Sequence, residues 1–126
     1  MWWMQQSDEA RAALLESKPV DIVTALDSFD KWISAVSGGH DTVDLMLDGV
    51  WGNGASFDNV ILAESYKRLG FNPPWPFWKD RCYRTVKSMY PNVKLERNGT
   101  HHNALDDARC QAEHLVAIHK AHGNIL

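Results

Sequence analysis

Val50-Trp51-Gly52-Asn53-Gly54-Ala55-Ser56-Phe57-Asp58 is the stretch on which the fold turns. Upstream of it, Val43, Leu45 and Leu47 alternate with Asp44, Met46 and Asp48, a period of two that predicts a strand over Thr42–Gly52. Gly52 and Gly54 permit a sharp turn, because residues without Cβ reach backbone angles closed to others. Ser56 is the expected N-cap of a helix over Phe57–Leu69, with Gly70 as its C′ residue. Val60, Ile61, Leu62, Tyr66 and Leu69 supply its apolar surface. A strand that runs through a glycine turn into a helix is the unit from which parallel sheets are built.

Working outward, Ile22, Leu26, Phe29, Ile33 and Val36 recur at spacings of three and four and predict a helix over Ile22–Val36, stopped by Gly38-Gly39. Before it, Ser7 is placed to cap a helix over Asp8–Glu16, and Pro19 breaks that region. Downstream, Pro73-Pro74-Trp75-Pro76 forms a stiff connector. A short strand near Arg81–Arg84 leads into a helical turn before Pro91. Asn98-Gly99 marks a loop. The last helix is expected over Ala104–His122 and is closed by Gly123. Leu105, Ala108, Ala112, Leu115, Val116 and His119 are expected to line one face. The expected class is α/β, helix-rich, with a reduced parallel sheet in one domain over residues 1–126. So small a sheet leaves an edge without a partner, which predicts marginal stability or self-association into a homo-oligomer.

Composition narrows the functional classes. An apolar share of 44% beside a charged share of 23% suits an ordinary globular chain. The net charge of −3 gives no general basic field to draw in nucleic acid, though a metal ion can neutralise phosphate locally. Two cysteines, Cys82 and Cys110, make no disulfide framework, and a reduced, cytoplasmic location is expected. No apolar run reaches membrane-spanning length, so no membrane is expected as partner. Six tryptophans are many for this length. Packing is the expected role for most of them, and base stacking the sharper role for one or two.

Three side chains stand out for chemistry. Asp58 follows a strand and a Gly-x-Gly turn, at the carboxyl end of a strand where α/β sites gather. Its ordinary role would be to complement a helix dipole. Asn103 can cap the last helix, which places Asp106 at a capping-box position. Asp107 lies beside the expected apolar face, where an ionised carboxylate needs a partner. His102 precedes that helix and has the proton affinity to take a proton from water near neutral pH. A weaker alternative puts Asp106, Cys110 and His114, spaced by four, on one helix face as a transition-metal site.

Taken together, these segments resemble the second and third motifs of the DEDDh 3′–5′ exonucleases, whose fold is ribonuclease-H-like. Asn53 to Phe57-Asp58 looks like the second motif. His102, four intervening residues and Asp107 match the third. Trp51-Gly52-Asn53-Gly54 through Phe57-Asp58-Asn59, with Trp2-Trp3-Met4-Gln5-Gln6-Ser7, is similar to the exodeoxyribonuclease VIII-like, prophage-associated branch. The resemblance runs from Trp2 to about His119. It implies a partial ribonuclease-H-like fold and a two-metal site for Mg²⁺ or Mn²⁺. Asp58 and Asp107 would be metal ligands, and His102 the general base. Asn53 and Phe57 would shape the nucleotide pocket, and Arg84 would contact a phosphate. The partner implied is nucleic acid, at a single-stranded 3′ end of DNA or RNA.

The family's first motif is an Asp-x-Glu on its first strand, and no such pair occurs in these 126 residues. Asp8-Glu9 are adjacent, and Asp27, Asp41, Asp44 and Asp48 have no glutamate two positions on. The expectation is therefore the C-terminal part of a 3′–5′ exonuclease-like domain that lacks the preceding strands and shows little or no activity alone. The alternative is a non-catalytic nucleic-acid-binding or interaction remnant of a prophage nuclease.

Overall fold

The computed structural model describes residues 5, 7, 8, 11, 12, 15, 18–37, 49–99 and 103–123. The Trp2-Trp3-Met4 segment, the Gly38-Gly39 stop, the Thr42–Asp48 part of the expected strand and His101-His102 lie outside these residues. The chain divides into two compact units, one of residues 20–88 and one of residues 1–19 with 89–126. Among the described residues the architecture is α/β and helix-rich, with a two-stranded parallel sheet. No described helix is long and apolar enough to cross a membrane.

In the first unit, helix α1 spans Ile22–Val36, as its apolar spacing predicts. Asp21 caps it by accepting from the Thr24 amide at 3.0 Å and the Thr24 hydroxyl at 2.6 Å. Those bonds favour the ionised form and hold the Asp21 carboxyl below its ordinary pKa, the hydroxyl bond contributing most. Leu26 and Ile33 are the buried members of the stripe, while Ile22 and Val36 are exposed.

Strand β1 is Val50–Gly52 and strand β2 is Asp80–Cys82, paired in parallel with Val50 opposite Asp80 and Gly52 opposite Cys82. β2 thus starts and ends earlier than expected, and Arg84 belongs to helix α3, Tyr83–Met89. A 3₁₀ turn over Phe77–Lys79 leads into β2. Helix α2, Asp58–Arg68, joins the strands. Ser56 does not cap it. Phe57, whose ring has no acceptor, occupies the capping position, and the Phe57 and Asp58 amides both donate to the Gly54 carbonyl, at 2.7 and 2.9 Å. At the other end Gly70 takes φ +79°, with Gly70 N–H donating to Lys67 and Phe71 N–H to Tyr66, a Schellman closure.

The core of this unit is Leu26, Tyr66 and Trp75, with Phe29, Val50 and Leu62 packed against them. Phe29 meets Trp75 edge to face at 6.2 Å. The buried Tyr66 hydroxyl donates to Asp30 at 2.5 Å, and burial first, then Asp30, pushes its pKa well above that of a free phenol.

In the second unit, helix α4 spans Ala104–His122, between Asn103 at one end and Gly123 (φ +69°) at the other, as predicted. Asn103 Oδ1 accepts from the Leu105 and Asp106 amides at 3.1 and 3.2 Å. The buried face differs from the expected one. It carries Cys110, His114, Leu115 and Ile118, whereas Leu105, Ala108, Ala112 and Val116 are exposed. The residues before the helix explain the rotation. His114 Nε2 donates to the Val93 carbonyl at 2.8 Å, and the Cys110 thiol exchanges contacts of 3.3 Å with the Asn98 amide and carbonyl. Polar side chains that bond main chain are buried at little cost, so hydropathy alone misjudges this face.

Candidate functional site

The glycine turn between β1 and α2 gathers four of the residues singled out in the sequence. Asp58 opens α2, and its Oδ2 accepts from the Gly54 amide at 2.9 Å. Among the described residues no hydrogen bond reaches its Oδ1. The Asn53 carbonyl accepts from the Arg84 amide at 3.2 Å, which extends the parallel pairing one step past β2. The Arg84 side chain then lies over the turn: a Cβ on Gly54 would be 3.9 Å from the Arg84 Cζ and 4.0 Å from the Phe57 Cβ. Phe57 is 68% exposed, an open aromatic face beside a carboxylate and a guanidinium. The arrangement offers an anion to a cation, and a cation and a ring to a phosphate and a base.

Below the turn, Asn59 is buried, and its amide hydrogens reach the Val50 carbonyl at 2.9 Å and Asp80 Oδ1 at 2.8 Å. Trp75 Nε1 donates to the same Asp80 oxygen at 2.9 Å. A cavity of about 290 Å³ runs past Asp58 and Asn59, walled by Phe29, Trp32, Trp51 and Leu62. Beside the strand ends, the Cys82 thiol is lowered to a pKa of about 7, first by its hydrogen bond with the Thr85 side chain and then by the Ala55 backbone.

Asp107 belongs to the second unit. It stands in the first turn of α4, about one-quarter exposed, and its Oδ1 pairs with Arg97 at 3.2 Å. This is the partner that a carboxylate on a half-buried face requires. Asp106 stands at the third helical position, as expected, and crowds Gly99. A Cβ there would be 2.6 Å from the Asp106 carboxyl carbon. His102 lies outside the described residues. Among the described residues no three His, Cys, Asp or Glu side chains converge on a metal position. Cys110 and His114 instead bond the backbone of Asn98 and Val93.

Sequence reading passed over Asn59, Asp80, Trp75 and Arg97 as site residues. For Asp80 and Trp75 there was no local signal, since Asp80 meets Asn59 only once the strands pair and Trp75 joins them only through Asp80. Asn59 had one, an amide directly after Asp58 at a position that the helix period turns inward.

With this geometry in place, comparison with protein families is informative. Residues 1–119 match the family described as the 3′–5′ exoribonuclease Rv2179c-like domain. The chain belongs to this family. The match reaches into both units and includes every candidate site residue named above. No match emerges among curated proteins or among solved structures. Membership makes the chain nuclease-like in the 3′–5′ sense and ties it to nucleic acid.

Proposed function

We propose that the chain is a DEDDh-type member of this family with ribonuclease-H-like ancestry, close to the exodeoxyribonuclease VIII-like prophage branch. In this reading residues 1–126 correspond to the part of a 3′–5′ exonuclease domain that carries the second and third motifs. The substrate is the single-stranded 3′ end of a nucleic acid, with RNA favoured by the family's description. The observation that carries the reading is the turn itself: a family-matched segment that sets an exposed Asp58 next to Phe57, with the Arg84 side chain over the same turn.

The donor set suits a hard cation in kind, since Mg²⁺ and Mn²⁺ take carboxylate oxygen together with substrate phosphate. Asp58 and Asp107 would hold it. A divalent ion bound there would lower the pKa of a water molecule and offset phosphate charge. The chain's own residues do the rest. Arg84 pairs with a phosphate, Phe57 stacks on the terminal base, and Asn53 borders the nucleotide. His102 takes the proton from the attacking water. Without an Asp-x-Glu the carboxylate set is small, so the 126 residues alone bind metal weakly and turn over little.

The test is digestion of 5′-labelled single-stranded RNA and DNA with Mg²⁺ or Mn²⁺. Little or no shortening is expected. A Mg²⁺-dependent 3′–5′ ladder that disappears in His102→Ala would show the site to be complete. The exposed ring pair Phe77 and Trp78, 5.2 Å apart, favours a second reading as a non-catalytic single-strand binder. Binding of RNA that persists in EDTA would select it.

A further inference from the structure

Asn59 follows Asp58 directly, yet the two side chains have opposite fates: Asp58 is exposed and Asn59 is 4% exposed. Both amide hydrogens of Asn59 are spent, one on the Val50 carbonyl and one on Asp80 Oδ1. Since both partners can only accept, the NH₂ group must face them and the amide oxygen must face away. That oxygen lies over Gly52, where a Cβ would be 2.3 Å from it and 3.2 Å from the Asp58 Cβ. Asp80 is held in turn by the Trp75 indole. Strand β1, strand β2 and the proline-rich connector are thus tied to the first turn of α2 through one side chain. These ties fix both ends of the turn that presents the Asp58 carboxylate and its Gly54 N–H bond.

We propose that Asn59, secured by Asp80 and Trp75, is a positioning residue that sets the place of the Asp58 carboxylate and hence its grip on a divalent cation. The cation part rests on Asp58 being a metal ligand; the positioning part does not. Asn59→Asp removes both donors and sets two carboxylates against each other. Asp80→Asn keeps an acceptor oxygen for both Asn59 and Trp75. Trp75→Phe removes the donor that anchors Asp80, so the carboxylate that Asn59 bonds is held less firmly.

The experiment uses the 126-residue chain and two NMR readings. One is the Gly54 amide proton resonance without metal, with D58A marking the unbonded position. The other is Mn²⁺-induced broadening of the Gly54 and Asp58 amides. In Asn59→Asp the Gly54 resonance is expected to move toward its D58A position, and Mn²⁺ affinity to fall about tenfold, the usual scale for losing a partner behind a ligand. Asp80→Asn should match the unaltered chain, and Trp75→Phe should fall between. An Asn59→Asp chain with its far-UV spectrum intact and both readings unchanged overturns the proposal. If Asn59→Asp fails to fold, an unmoved Gly54 resonance in Trp75→Phe overturns it. If D58A leaves the Mn²⁺ broadening of the unaltered chain as it was, Asp58 fails as a ligand, and the Gly54 resonance still judges the positioning.

Discussion

Asp58 and Asp107 each stand in the first turn of a helix, and each is proposed above as a metal ligand, but their carboxylates meet different neighbours. Among the described residues, Asp58 takes one backbone N–H, from its own turn. Asp107 takes the guanidinium of Arg97, ten residues before it. Both helix starts lean on a glycine, Gly52 beneath Asn59 and Gly99 beneath Asp106. The lesson is that a motif fixes where a carboxylate stands, while residues outside the motif decide whether a cation finds it already engaged.

The heaviest test of this comparison is on the glycines. Gly52→Ala must displace a buried amide that holds both strands, and it should cost about 1–3 kcal/mol in urea denaturation, the range of overpacked interiors. Gly99→Ala meets the Asp106 side chain and not an amide that ties two strands, and its left-handed φ of +85° adds about 1–2 kcal/mol. If Gly99→Ala proves much the costlier, the first unit is not the more rigid support.

Arg97→Gln comes next. The pair it removes is largely solvated, so stability should change by less than about 1 kcal/mol. Mn²⁺ broadening at the Asp107 amide should strengthen, because the carboxylate has lost its competing cation. Unaltered broadening there would erase the contrast with Asp58.

The smallest effect belongs to the cysteines, one beside each helix start. The Cys82 thiol ionises at about 7 when folded, below the ordinary thiol range. Its contribution to stability is therefore complete above that ordinary range and fades as pH falls through about 7. Its exposure keeps the contribution slight. Alkylation is the sharper measurement: the Cys82 rate should rise with a midpoint near pH 7, and Cys110, buried against Asn98, should lag. A midpoint at the ordinary value of about 8.5 would deny the Thr85 and Ala55 bonds.

Much of the fold was legible where local chemistry decides it. The bounds of α1 follow from its apolar period, and those of α4 from an Asn cap and a closing glycine within a few residues of the boundary they set. The face of α4 was not legible, because it answers to the Val93 and Asn98 main chain and not to hydropathy. The Ser56 cap failed for a similar reason, since Gly54 had already taken the amides. Of the proposed site, Asn53, Phe57, Asp58 and Arg84 do come together, Arg84 from α3 and not from the strand expected to hold it. Arg97 and the Asn59–Asp80–Trp75 ties emerge only when distant segments meet.

The way α4 meets its preceding loop also bears on how this sequence can drift. His114 and Cys110 address carbonyl and amide groups that any amino acid other than proline would provide at positions 93 and 98. Selection on that contact therefore falls on the helix alone. The loop from Val93 to Asn98 can exchange side chains while the docking survives, which leaves the Arg97 position open to replacement over generations without unseating Asp107.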